Sequence, residues 1–157
     1  MIQDRHVALK ERVGRVIAQA DGVKEPEAKT DLACLACILT SAMIEVACRD
    51  FVSRYVEARA SPTVLAHVRG RLYRFQNAKV EEIDELLRSF SQQIANDFFD
   101  RIGDEGRDAL DSTVNKKNEL VHGKGSGIGL DTMKRYHADV LSAIDALRDL
   151  LTDPKAP

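Results

Sequence analysis

The chain has 157 residues, 44% of them apolar and 31% charged, with a formal net charge of −2; that is the length of one ordinary domain rather than two. This balance excludes a disordered polyion and a uniformly basic nucleic-acid coat. With no Trp and 5% aromatic residues, an aromatic-rich β-sandwich or base-stacking platform is also disfavoured, which leaves an all-α globular bundle.

Asp4 to Ala20 reads as a first helix, with Val7, Val13, Val16, Ile17 and Ala20 on one side. Asp4, Arg5, Lys10, Glu11, Arg12 and Arg15 interrupt any apolar stretch there, so no secretory signal is expected. Asp21-Gly22 ends the helix and Lys24 to Glu27 makes a short solvated connection. A long helix follows from about Asp31 to Ala60, striped by Leu32, Leu35, Leu39, Met43 and Val46, with Ile38, Val52 and Val56 opposite. Apolar residues nearly all round mark it as the central helix. Its longest uncharged stretch, Leu32 to Ile44, is 13 residues, short of the roughly 20 that cross a bilayer. No membrane segment is expected. Three cysteines, an odd number, suit a reducing cytoplasm.

Ser61-Pro62 sets an N-cap and a first-turn proline for a helix running to about Phe75. Asn77 is placed as the cap of the next helix, through Val80, Ile83, Leu86, Leu87 and Phe90. A short segment with Ile94, Phe98, Phe99 and Ile102 leads to a turn at Gly103/Gly106, followed by a helix from about Arg107 to His122. The glycine-rich stretch Gly123 to Gly129 breaks regular structure. Asp131 then caps a last helix striped by Met133, Val140, Ile144, Leu147 and Leu151. Residues 1–151 are read as one helical domain and 152–157 as a fraying tail.

Several constellations invite chemistry. Cys34 and Cys37 have a metal-ligand spacing, but zinc needs about four ligands and no second pair exists, so buried thiols are the better reading and no metal or other cofactor is expected. The glycine run matches neither GxGxxG nor GxxxxGK[ST]; it reads as helix termination and a flexible loop, with backbone N–H contact to a phosphate as the alternative. From Arg59 to Lys79 the charges are Arg59, Arg69, Arg71, Arg74 and Lys79 with no acid, and Tyr73 and Phe75 interleave. That stretch is either a solvated helix face or a track for an RNA backbone. Glu45 and Arg49, at i and i+4 on the apolar helix, make either a structural ion pair or the lining of a groove. His137, on the last helix's stripe, is expected as a core histidine, while His6 and His67 carry no signal.

The most informative stretch is Asn115 to Gly123, NKKNELVHG. At about 100° per residue, with Leu110 at zero, Val114 falls near 40°, Val121 near 20° and Lys117 near −20°. A lysine therefore lies inside an apolar arc, with Asn118 and His122 at its edge. Lys117 either snorkels on its apolar stem or serves a polar groove.

At Lys117-Asn118-x-x-x-His122-Gly123 the chain resembles the HEPN superfamily (higher eukaryotes and prokaryotes nucleotide-binding), most closely the RiboL-PSP type. The resemblance extends from about Leu32 to Leu151 and includes Glu45 with Arg49, Phe75-Gln76-Asn77 before Val80-Glu81-Glu82-Ile83, and the helix after the glycine loop. It implies an all-α bundle, a homodimer, and a metal-independent endoribonuclease of a prokaryotic toxin or phage-defence system, with RNA as substrate and an antitoxin or defence-system protein as a further partner. His122 matches the family histidine, Asn118 the polar residue after its arginine, and Glu45 its helix-borne acid. Lys117 stands where the arginine belongs, keeping the charge and losing the bidentate fork. In this reading His122, Lys117, Asn118 and Glu45 carry catalysis, and Arg49, Arg69, Arg71, Arg74, Lys116 and Lys124 contact RNA. The alternative is a non-catalytic module binding RNA, a nucleotide or a protein.

Overall fold

The computed structural model describes residues 5–125, 127–153 and 155. Six helices follow one another: α1 (Arg5–Gly22), α2 (Pro26–Glu57), α3 (Pro62–Leu72), α4 (Val80–Arg88), α5 (Gln92–Val121) and α6 (Leu130–Thr152), with no strand among the described residues. The expected helix start at Asp4 lies outside the described residues, as do Ser126 of the glycine loop and Pro154, Ala156 and Pro157 of the expected tail.

α2 is the axis. It packs against α1, α3, α5 and α6, so its buried positions, from Ala33 and Cys37 through Met43, Ile44, Cys48 and Phe51, are spread around the cylinder. By length and composition it could cross a membrane, but half of its most apolar window is enclosed by the bundle. It begins at Pro26, earlier than the expected Asp31, because proline supplies a preset φ at a first-turn position that needs no N–H donor. Two groups of apolar residues meet along it. The larger gathers Phe51, Ile83, Leu87, Phe98, Leu110 and Leu147; the smaller joins Val13 and Val16 of α1 to Ala33, Cys37 and Met133. The expected stripe is corrected at Leu35, which is 37% exposed.

Ser61 caps α3 as expected, its Oγ accepting from the Val64 N–H at 3.4 Å, although the helix ends at Leu72 rather than Phe75. The expected turn is found at Gly103 and corrected at Gly106. Helix runs from Gln92 to Val121 with one break at Gly103 (φ 61°, ψ −165°), a backbone region open essentially to glycine alone. Gly106 is an ordinary buried helical residue whose missing side chain lets the Ile102 Cβ approach; a Cβ there would lie 2.6 Å from it. The segment with Ile94, Phe98 and Phe99 is therefore the first limb of this helix. Asp131 lies in the first turn of α6 and Gly129 takes the cap position instead. His137 is buried as expected, 3.3 Å from Thr40 Oγ1 on α2. His6, silent in the sequence, is buried edge-on against Phe51.

Candidate functional site

Glu45 and Arg49 share one face of α2 with a 3.7 Å ion pair, and both reach the connection between α3 and α4. The Arg49 guanidinium donates to the Phe75 carbonyl through Nε (3.1 Å) and through Nη2. Glu45 Oε1 accepts from the Asn77 N–H at 2.7 Å. The Val80 N–H at the start of α4 donates to Asp111 Oδ1 on α5 at 2.8 Å. Asn77 is thus not the helix cap. Lys79 takes that position, while Asn77 adopts φ 54°, a left-handed conformation that asparagine tolerates better than most residues.

That turn aims the Asn77 side chain at α5. Lys117 Nζ donates to Asn77 Oδ1 at 2.9 Å; an ammonium only donates, so the amide must present its oxygen. Asn77 is therefore the joint between Glu45 on α2, through its backbone, and Lys117 on α5, through its side chain. The helix geometry explains the lysine. Leu110 and Val114 are fully buried, Lys117 is half-buried, and Val121 is 56% exposed. The apolar arc leaves the core between 114 and 121, and Lys117 stands where it emerges.

His122 is exposed and closes α5, its backbone N–H bonding to the Asn118 carbonyl at 3.2 Å. Gly123 follows with φ 65°, its N–H returning to the Leu120 carbonyl (3.2 Å) while the Lys124 N–H returns to Glu119 (2.8 Å). This double return ends helices on a left-handed residue, so the glycine after the histidine is the helix stop. Farther along the loop, Gly127 lies flat on α2: a Cβ there would fall 2.4 Å from Thr30 Cγ2. Of the expected catalytic set, Glu45 and Lys117 meet through Asn77, Asn118 is half-buried, and His122 is at the solvent end of the same helix.

The expected RNA-contacting cations divide. Arg49 is taken up by Phe75 and Glu45. Arg69 bonds Ser53 Oγ at 2.9 Å and Glu57 at 3.3 Å, holding α3 to α2. Lys116 pairs with Glu119 at 2.7 Å, which raises its pKa. Arg71, Arg74 and Lys124 stand exposed. Two buried thiols lie near these charges and are held protonated: burial pushes Cys37 and Cys48 up to about 12, and Cys37 donates to the Thr113 carbonyl at 3.5 Å. Sequence reasoning missed Asn77 as the partner of Lys117 and Asp111 as the donor-satisfying acid of α4. Asparagine's tolerance of positive φ was a signal for the first; nothing local marked the second.

The family model described as RiboL-PSP-HEPN matches residues 9–153, spanning the strapped connection, the motif helix and α6. The chain belongs to the RiboL-PSP-HEPN family. No curated protein and no solved structure matches it. In this HEPN protein the Lys117 ammonium, ahead of Asn118 and His122 on the same stretch of chain, is tied to a neutral amide rather than to an acid.

Proposed function

We propose that this HEPN protein is a metal-independent endoribonuclease acting in the cytoplasm. The observation that carries the reading is the state of Lys117. Its hydrogen-bond partner is the neutral Asn77 oxygen, whereas the nearby Glu45 carboxylate is occupied by Arg49 and the Asn77 N–H. The ammonium charge is thus positioned without being neutralised, which suits it to an approaching phosphate.

Cleavage needs a base for the 2′-hydroxyl proton and an acid for the departing 5′-oxygen. His122, exposed at the end of the same helix, takes one of these roles, and Lys117 stabilises the negative charge that builds at phosphorus. The attack of the 2′-oxygen breaks the P–O5′ bond and leaves a 2′,3′-cyclic phosphate. A homodimer would bring a second motif to the same groove and supply both proton-transfer roles; an isologous contact at the motif helix achieves that. Asn118 lies beside His122 as a substrate-positioning group, and Glu45 acts through Asn77. An antitoxin or another defence-system protein is the expected regulatory partner.

The test is RNA cleavage in excess EDTA. The wild type should cut and leave cyclic phosphate ends, and His122→Ala should not. Lys117→Arg should cut faster, because the guanidinium restores two parallel donors at unchanged charge. The second reading, a non-catalytic module, is favoured by lysine standing at position 117, where a single ammonium replaces a bidentate guanidinium fork. Cleavage by neither protein, with RNA binding intact, would select it.

A further inference from the structure

α3 and α4 are fastened to different helices, α3 to α2 through Arg69 and α4 to α5 through Asp111. They do not close on one another, and the opening between them is a groove of about 510 Å³, within the range of small-molecule sites. Its floor is apolar, formed by Val68, Leu72 and Leu86 with the rings of Phe75 and Phe90. The two walls are chemically opposite. On the α3 side stand Arg71 and Arg74, both exposed and, among the described residues, engaged in no side-chain hydrogen bond or ion pair. On the α4 side stand Glu82 and Glu85, and Glu82 Oε2 is buried with no hydrogen-bond partner.

We infer that this groove binds one guanine nucleotide unit. Two free guanidinium forks fit a phosphate. The aromatic and aliphatic floor fits a planar base. The carboxylates of Glu82 and Glu85 on the opposite wall offer acceptors to an N–H edge, and guanine alone among the four RNA bases sets two adjacent donors, N1–H and the N2 amino group, against a carboxylate. The groove also adjoins the motif. Phe75 lies in it, its carbonyl is held by Arg49, and Asn77, two residues on and at most about 7.6 Å away between Cα atoms, holds Lys117. A guanosine seated here sets which phosphate of a strand reaches Lys117, and only in that respect does the inference rest on the nuclease reading.

The experiment is an NMR titration of the full chain with 5′-GMP, with 5′-UMP and inorganic phosphate as comparisons. GMP should shift the amides of α3 and α4 and bind at least tenfold more tightly than UMP or phosphate. Arg71→Ala/Arg74→Ala should weaken GMP at least tenfold, with an unchanged far-UV spectrum. Glu82→Gln should erase the preference over UMP. In the uncleaving His122→Ala protein, an oligouridine carrying one guanosine identifies the source. Tighter binding than GMP at the same amides assigns the site to RNA, and weaker binding assigns it to the free nucleotide. The inference falls if neither GMP nor the oligonucleotide shifts the groove, if the double arginine variant binds equally well, or if UMP equals GMP. GMP binding reads the groove whether or not RNA is cut, so its failure is distinct from a failure of the nuclease reading.

Discussion

Asn77 holds two interactions of different kinds, and substitution can separate them. Its φ of 54° is open to glycine and costs an alanine about 1–2 kcal/mol; its side chain alone receives Lys117. Asn77→Gly should therefore stay within about 1 kcal/mol of the wild type in urea unfolding while releasing Lys117. Asn77→Ala should lose about 2 kcal/mol, the strain added to the lost hydrogen bond. If the Lys117 contact positions the cation, both variants should lower RNA cleavage alike despite their different stabilities. His137 offers a pH test at the same scale. Burial, then the positive charge of Lys10, lowers its pKa in the fold. Below about pH 6.5 an unfolded chain takes up a proton that the folded histidine resists. Stability should be full above that pH and decline as pH falls, levelling once the folded histidine also protonates. His137→Gln should flatten this part of the urea-midpoint profile between pH 7.5 and 5.

Elements here owe their ends to single residues. The break at Gly103 redirects α5 so that Phe98 and Phe99 on one limb and Leu110 and Val114 on the other all reach the interior. Gly103→Ala, at φ 61° and ψ −165°, should destabilise by about 1–3 kcal/mol, read as a shift of the urea midpoint with an unchanged slope. The helix ends were partly legible in the sequence. Ser61-Pro62 states its own geometry, because a hydroxyl and a ring act on neighbouring atoms. Asn77 and Asp131 were misassigned as caps because each has the right chemistry in the wrong frame. The first bonds Lys117 across 40 residues, and the second lies inside the first turn of α6.

For the whole molecule, the exposed end of the motif helix bears on assembly. Val121 is 56% exposed on the helix that carries Lys117 and His122. A homodimer joined there should give light-scattering masses twice that of the chain at tens of micromolar. Val121→Asp should return the monomer and, if two motifs share one groove, abolish cleavage together with dimerisation. A strict wild-type monomer would rule out this assembly.

Apolar periodicity and the scarcity of strand-forming aromatics determined by themselves that the chain is helical, that α2 is central and that Lys117 interrupts an apolar arc. These are properties of neighbours along the chain, where 3.6-residue geometry decides the outcome. The motif spacing, too, is written in one dimension. What Lys117 touches is not. Its partner Asn77, the use of Glu45 and Arg49 to strap the α3–α4 connection, the pairing of Arg69 with Ser53 and Glu57 and the freedom of Arg71 and Arg74 all depend on which helices lie side by side. Only tertiary structure decided them, because a buried hydrogen bond is selected by the donors and acceptors that packing leaves within reach, not by their distance along the chain.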